Sequence, residues 1–380
     1  MSCHCTKIML YFSRKHLSEE RLFWILKTER DKRENLRTGA LHMASIKDIA
    51  KMCDVSVATV SKALNDKDDI GEETKRRIKE VAKEVGYFPQ YYARAIRMNK
   101  SFNIGVLFVD GAMSGLTHDY FANILNSFKA TAESKGYDIT FINSNKKAKK
   151  SKTYLEHCRY RGLDGVVIAC IDFDNPEVVE LVQSNVPLVT IDYQFPDRVS
   201  VLSNNRNGMS DLVEYIVKQG HTKIAYITGE YYSWVTKSRV ESMKEVLQSH
   251  GIPIVDDYII HSEYRNLNKA DEYTKKLLEL PDPPTCIIYS DDYSALGGIS
   301  CIQSMGLHIP EDISIAGYDD IFIAGNLVPR LTTVRQDTEQ IGKKAADKLI
   351  ALIEKKRTVS TKPVVVGATL VEGESVLKIR

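Results

Sequence analysis

The chain has 380 residues, with 52 Lys and Arg against 50 Asp and Glu, a formal net charge of +2. Hydrophobic residues make up 43% and charged residues 27%, the balance of a soluble globular protein of two or three domains, each able to bury its own core. No apolar run approaches the ~20 residues that span a bilayer, and seven scattered cysteines are no disulfide framework, so a membrane protein and a disulfide scaffold are excluded and a reduced, cytoplasmic protein is expected.

The near-zero total hides its distribution. Residues 1–42 carry nine basic and five acidic side chains, net +4. Residues 43–100 carry twelve and nine, net +3, and residues 101–380 carry 31 and 36, net −5. A basic front on an acidic body suits a nucleic-acid module, although charge imbalance alone describes only a solvated surface. Within residues 1–42 the apolar stretches 7–11 and 22–26 are short, lie among charges and lack a small-residue cleavage site, so no secretory signal is read. Cys3, His4 and Cys5 follow one another directly, without the loop spacing of a zinc site, and no metal is expected. The segment is an N-terminal extension of unassigned role, with Met43 opening the first domain.

Residues 43–65 predict two short helices. Ser45 is placed to cap the first, and Asp48 favours its N-terminus. Ile46, Ile49 and Ala50 share one face. Cys53-Asp54 breaks the pattern, Ser56 caps a second helix, and Val57, Val60, Ser61 and Leu64 recur at three and four. Two helices joined by a tight turn make a helix-turn-helix. A third amphipathic helix is predicted over 72–85, with Ile78, Val81, Ala82 and Val85 inward, ended by Gly86 and Pro89. The pattern alone leaves a plain three-helix mini-domain open beside a DNA-binding one.

The string I-K-D-I-A-x-x-x-x-V-S-x-x-T-V-S-K-x-L-N, followed by V-G-Y-F-P-Q-Y-Y-A-R-A-I-R, resembles the headpiece and hinge of the LacI/GalR family of bacterial transcription regulators, and the likeness runs over roughly residues 44–380. It implies that residues 56–65 form the recognition helix in the major groove, with Val57, Ala58 and Lys62 at base-reading positions. Lys62 can donate to guanine, and Val57 and Ala58 can touch thymine methyls. Family members often carry Arg at the Lys62 position, so the bidentate fork is absent here. Ser56, Thr59 and Ser61 offer hydroxyls to phosphates, or serve as caps and back-bonds. The likeness makes residues 91–101 the hinge, in which Ala93 and Arg94 match A-R-x-L and Ile96 takes the place of the leucine that wedges into the minor groove. Ile96 packing on its dimer mate is the other reading.

Beyond residue 102 the texture becomes α/β. Strands are predicted at 104–109, 138–143, 165–170, 188–192, 224–228, 286–290 and 314–318, with helices between them, among them 120–134. Some 280 residues exceed one doubly wound sheet, so two lobes around a cleft fit better. The resemblance implies the two-lobed periplasmic-binding-protein-like fold. The expected organisation is an extension at 1–42, an all-α helix-turn-helix domain at 43–90, a hinge at 91–101, and a ligand-binding and dimerisation core at 102–380.

Ligand sites in such folds lie at the C-terminal ends of strands. Asp110 follows the first strand there. By resemblance, Tyr120 and Phe121 are a ligand-stacking aromatic pair, and Arg239 is the anchor of an R-x-x-G motif in which Ser242 replaces the glycine. Tyr264 is a stacking aromatic, Asp291 stands in for the Asn of N-D-x-x-A-x-G, and Asp319 is the ligand-binding first aspartate of G-Y-D-D. Residues 329–334 match a signature near the lobe crossover. Carboxylates, a guanidinium and aromatics suit a polyol, so a sugar is the expected effector. Bland alternatives are Tyr120 and Phe121 as core, an Arg239–Asp319 structural pair, and Asp292 as a helix N-cap.

No phosphate loop, nucleophile elbow or zinc-protease motif occurs, so no enzyme and no cofactor are expected. His221 is read as structural, Cys158, Cys170, Cys286 and Cys301 as buried apolar fillers, and the lysine run 146–152 as a solvated loop. The expected function is a ligand-responsive transcription regulator, a repressor, that binds double-stranded operator DNA as a homodimer; the family likeness leaves room for a corepressor protein. The alternative is a solute-binding protein for sugar uptake, which would need a secretory signal and no DNA module.

Overall fold

The computed structural model describes residues 44–87, 100–109, 115–142, 152–354 and 359–379. The extension, the hinge residues Ala93, Arg94 and Ile96, the first-strand aspartate Asp110 and most of the lysine run lie outside the described residues. The chain divides into two compact units, Met1–Lys100 and Ser101–Arg380.

The described part of the first unit is three helices: α1 (Ile46–Met52), α2 (Val57–Leu64) and α3 (Glu72–Glu84). α1 starts where Ser45 and Asp48 form a reciprocal capping box, the Ser45 amide donating to Asp48 at 2.9 Å. Asp54 lies in the left-handed region at φ +49°, which lets four residues reverse the chain between α1 and α2. Ile49, Val60, Ala63, Ile78 and Val81 close a dry core, and Ala50 is small where helices approach. A Gly86 φ of +66° follows the end of α3.

The second unit has two lobes, each a parallel sheet covered by helices. The first sheet runs β11-β5-β4-β3-β1-β2, with β1 Asn103–Phe108, β2 Asp138–Phe141, β3 Gly165–Ala169, β4 Leu188–Ile191, β5 Val199–Ser203 and β11 Val364–Val366. The second runs β7-β6-β8-β9, with β6 Ile224–Thr228, β7 Ile259–His261, β8 Cys286–Tyr289 and β9 Ser314–Ala316. β3, β4, β5, β6, β8 and β9 are buried along their whole length, as strands covered on both faces must be. An antiparallel pair, β10 (Thr333–Gln336) with β12 (Ala368–Val371), completes the strands.

Helices α4 (Asp119–Ser134), α5 (Tyr154–Arg161), α6 (Pro176–Gln183) and α11 (Thr338–Ile353) serve the first lobe; α7 (Asn205–Lys218), α8 (Trp234–Ser249), α9 (Leu267–Leu278) and α10 (Asp292–Ser304) serve the second. α11 returns to the first lobe and lies so close to α4 that a Cβ at Gly342 would stand 2.3 Å from the Ile124 carbonyl oxygen. The chain thus passes between lobes after β5, after β10 and after β11, which places residues 329–334 just before a crossover. His221 is buried and structural, bonded to Thr285 and to the Leu377 carbonyl at 2.9 Å each. Cys158, Cys286 and Cys301 are buried; Cys170 departs from the expectation, being only partly buried, with φ +50° just past β3.

Candidate functional site

On α2 the helical period sorts side chains between core and solvent. Val60 and Ala63 are buried, whereas Ser56, Val57, Ala58 and Lys62 are exposed on the remaining surface and Thr59 and Ser61 are half-exposed. Ser56 Oγ accepts from the Thr59 amide at 3.0 Å and lies 2.9 Å from the Thr59 hydroxyl, so both hydroxyls already have a capping role. Lys62 forms an exposed ion pair with Asp69. Such a pair is worth roughly 0–1 kcal/mol, less than the ~1–3 kcal/mol of a good base contact, so it does not prevent Lys62 from turning to DNA.

The second candidate site is built where strand ends of both lobes meet. Arg239, on α8, is buried at its centre: Nε donates to Asn205 Oδ1 at 2.8 Å, Nη1 to the Ser290 carbonyl at 2.9 Å, and the guanidinium lies 3.5 Å over the Tyr318 ring. Two fixed hydrogen bonds and a stacked face hold this cation in one pose. Its hydrogen-bond partners are Asn205 and Ser290, not Asp319.

Asp319 has φ +107° and its neighbour Asp320 φ +51°, conformations that cost L-residues energy and that here turn the chain sharply out of β9. Asp319 Oδ1 accepts from Gln336 Nε2 at 2.6 Å. Burial pushes its carboxyl up to about 7, against the pull of Arg239.

From the first lobe, Tyr120 is buried and its hydroxyl donates to Asp192 Oδ2 at 2.5 Å, while the Ser203 amide donates to Asp192 Oδ1 at 2.9 Å. Burial raises the Asp192 carboxyl; the Ser203 and Tyr120 bonds oppose it. Phe121 packs among Phe108, His118 and Tyr120 at centroid distances of 5.7, 4.9 and 5.0 Å. Both aromatics are therefore part of the packing, and Tyr120 also lines a cavity of about 400 Å³ with Asn123, Asp319, Asp320 and Gln336.

Asp291, not Asp292, caps α10: it accepts from the Ser294 amide at 2.8 Å, and its Oδ2 takes the Ser290 and Ser294 hydroxyls and the Arg265 amide. The N-cap reading of Asp292 is thereby corrected. Asp292 is one residue inside the helix and fully buried, joined to Thr333 Oγ1 at 2.6 Å and the Ile321 amide at 2.9 Å, where it holds the turn after β9. With four protein donors on it, Asp291 acts first as a scaffold for the strand end. Ser242 fills the place of the expected glycine by donating to the Arg206 carbonyl at 2.6 Å, a direct α8–α7 tie.

Tyr264 lies against Gly229, where a Cβ would meet its ring at 2.2 Å, and its hydroxyl is 2.9 Å from Thr236. Beside it Arg265, at φ +56°, reaches across to the other lobe, bonding Asp119 at 3.1 Å and the Thr117 carbonyl at 3.3 Å. Tyr264 and Arg265 line a second cavity, of about 720 Å³. The structure therefore brings Tyr120, Arg239, Tyr264, Asp291 and Asp319 to one region, with Phe121 packed behind Tyr120. Asp192, Asn205, Arg265 and Gln336 were missing from the sequence reading. Asp192 follows β4 and could have been found by the strand-end rule; the other three act through contacts distant in sequence.

Residues 45–90 match the model of bacterial regulatory proteins of the lacI family, and residues 213–376 match the periplasmic binding protein-like domain. The probable HTH-type transcriptional repressor ExuR of Bacillus subtilis is 34% identical over 323 residues, covering 84% of this chain and 95% of that protein. The chain belongs to the LacI family of bacterial regulatory proteins. It is a DNA-binding transcription regulator with a helix-turn-helix headpiece and a two-lobed periplasmic-binding-protein-like core. HTH-type transcriptional repressor PurR of Aliivibrio salmonicida is 30% identical over 317 residues, 83% of this chain and 93% of that one. Among solved structures, a LacI-family regulatory protein from Chloroflexus aggregans aligns at TM-score 0.65 and 26% identity, over 72% of this chain and 98% of its own. The lac repressor dimer bound to operator and the anti-inducer ONPF shares the fold at TM-score 0.76 and 23% identity, over 88% of this LacI-family chain and 99% of that one. Among the described residues, no helix is long and apolar enough to cross a membrane, and no cluster of three or more His, Cys, Asp or Glu is placed to hold a metal ion.

Proposed function

We propose that this regulator is a repressor whose affinity for a pseudo-palindromic operator is set by a small carbohydrate bound between the two lobes. The observation that carries the reading is the cluster of Arg239, Asp319, Asp192 and Tyr264, contributed by both lobes and flanked by cavities of about 400 and 720 Å³. Carboxylates accept from sugar hydroxyls, and aromatic rings cover the apolar faces of sugars. A ligand touching both lobes favours one lobe pose over another, and that difference in affinity is what allostery requires. The reading assigns binding and no catalytic step to the chain, and places it in the cytoplasm with its DNA.

Phe322 and Val328, both on the segment between β9 and β10, are 86% and 92% exposed, so this segment carries uncovered apolar surface that supports self-association. We assign it to a second copy of the chain, making the working form a homodimer, rather than to a corepressor protein. The test is fluorescence anisotropy of the full chain on a palindromic operator across a salt series. Specific binding should weaken steeply with salt. Lys62→Ala should cost about 1–3 kcal/mol of specific affinity. If Lys62→Ala and Ile96→Gly both leave sequence-specific affinity unchanged, the headpiece assignment is wrong.

A further inference from the structure

The larger cavity holds more than the inner cluster uses. Besides Tyr264 and Arg265 it is lined by Glu230, Tyr231, Tyr232, His261, Ser262 and Glu263. At about 720 Å³ it lies well inside the roughly 300–1,000 Å³ of sites that take drug-sized ligands, and exceeds what one pyranose ring fills.

Its aromatic surface is largely open. Tyr231 and Tyr232 are 67% and 59% exposed, and Trp234, two residues further along the chain, is 41% exposed. The two tyrosine rings stand at 78° with centroids 5.7 Å apart, so they form a corner and do not bury each other's faces. Tyr231 also meets the edge of His261 at 6.3 Å. A contiguous exposed aromatic patch is costly in water and marks a binding surface. Hydrogen-bonding groups accompany it. Ser262 Oγ and Arg265 Nε are buried without a hydrogen-bond partner among the described residues, and both residues line this cavity. Buried groups of this kind are normally satisfied, so each is hydrogen-bonding capacity at the cavity wall that the protein itself leaves unused. Glu230 supplies a carboxylate free of salt bridges among the described residues. Aromatic faces with interspersed acceptors and unpaired donors match the two-sided chemistry of a pyranose, apolar on its C–H face and polar at its rim.

The cavity adjoins the inner cluster: Tyr264 belongs to both, and the amide of Arg265 donates to Asp291 at 3.0 Å. From the other lobe, Phe173 and Tyr193 stack at 4.2 Å on loops following β3 and β4. Burial first, and then the Glu230 and Asp172 carboxylates, push the Tyr232 phenol up.

We propose that Tyr231, Tyr232, His261 and Ser262 form an outer subsite for a second sugar ring, so that the effector is a di- or oligosaccharide. The proposal rests on the reading of the inner cluster as an effector site. The test is calorimetric titration of the full chain with matched monomers and dimers: glucose with cellobiose and maltose, xylose with xylobiose, and galactose with β-1,4-galactobiose. Quenching of Trp234 fluorescence serves as a local readout, with Trp234→Phe as its control. One dimer is expected to bind at least about tenfold more tightly than its monomer, which is about 1.4 kcal/mol. The double variant Tyr231→Ala/Tyr232→Ala should bring the dimer down to the monomer's affinity and leave the monomer unchanged; Ser262→Ala should weaken the dimer alone. Monomers that bind as well as dimers, or a double variant that weakens both equally, overturn the subsite while leaving the effector reading intact. A wild-type protein that binds no saccharide of the panel overturns the effector reading and the subsite with it.

Discussion

Replacing Tyr120 by Phe removes one oxygen from the interior of the first lobe and leaves the ring packing in place. That oxygen donates to Asp192 Oδ2 at 2.5 Å, the length of a charge-assisted O–H···O⁻ bond. A hydrogen bond to a charged group contributes roughly 1.5–3 kcal/mol net, so a loss of about that size is expected. In a domain of this order each kcal/mol moves Tm by roughly 2–4 °C, giving a fall of about 3–12 °C in calorimetry of the full chain. The loss should also depend on pH. Burial already holds the Asp192 carboxyl above its ordinary range, and the Tyr120 bond is one of the groups opposing that rise. Without the bond the folded-state pKa rises further. A raised carboxyl contributes stability that is complete below its unfolded pKa and is lost as pH climbs through the folded one. The Tyr120→Phe penalty should therefore be small near pH 4 and grow toward pH 8. An equal penalty at both ends, or none at either, would refute the assignment of this bond to an ionised Asp192.

Two further perturbations probe the packing and the cluster. Gly342→Ala sets a Cβ 2.3 Å from the Ile124 carbonyl oxygen and 2.8 Å from the Phe128 amide, so α4 and α11 must separate, at a cost of about 1–3 kcal/mol in urea unfolding. Because the Asp319 carboxyl is raised to about 7 by burial and a sugar hydroxyl prefers the ionised form, saccharide affinity should rise between pH 6 and pH 8. Asp319→Asn should flatten that profile, and a variant that keeps the wild-type slope would assign the titration to another group.

Much of the architecture follows from local pattern. The Ser45–Asp48 capping box, the exposed face of α2 and the apolar runs that became β1, β3, β4, β6, β8 and β9 are all written in spacing of three, four or unbroken apolar stretches. Two strands carried too little of such a mark. β5 holds Ser200 and Ser203, buried only because the sheet covers them, and β11 is a run of only three valines that forms by pairing with β5 from more than 160 residues away. At the site, residue type and motif reached Tyr120, Arg239, Tyr264 and Asp319, but roles depended on neighbours. Asp291 and Asp292 are adjacent identical residues. One is a helix cap and the other a buried tie to Thr333 and Ile321, because a one-residue step on a helix turns the side chain by about 100°.

The amino-acid sequence by itself determined the two kinds of unit, a capped three-helix headpiece and a parallel α/β core, since caps, periodicity and buried runs act over a few residues. It also separated the basic headpiece segment from the acidic body behind the +2 total. Only the tertiary structure decided which side chains meet. It seated Arg239 on Tyr318 between Asn205 and Ser290, and joined Arg265 to Asp119 across the lobes. It also left Tyr231 and Tyr232 uncovered beside an unpartnered Ser262. Those relations link residues tens to more than a hundred positions apart, and hydrogen bonding, stacking and exposure exist only once the chain has brought them together.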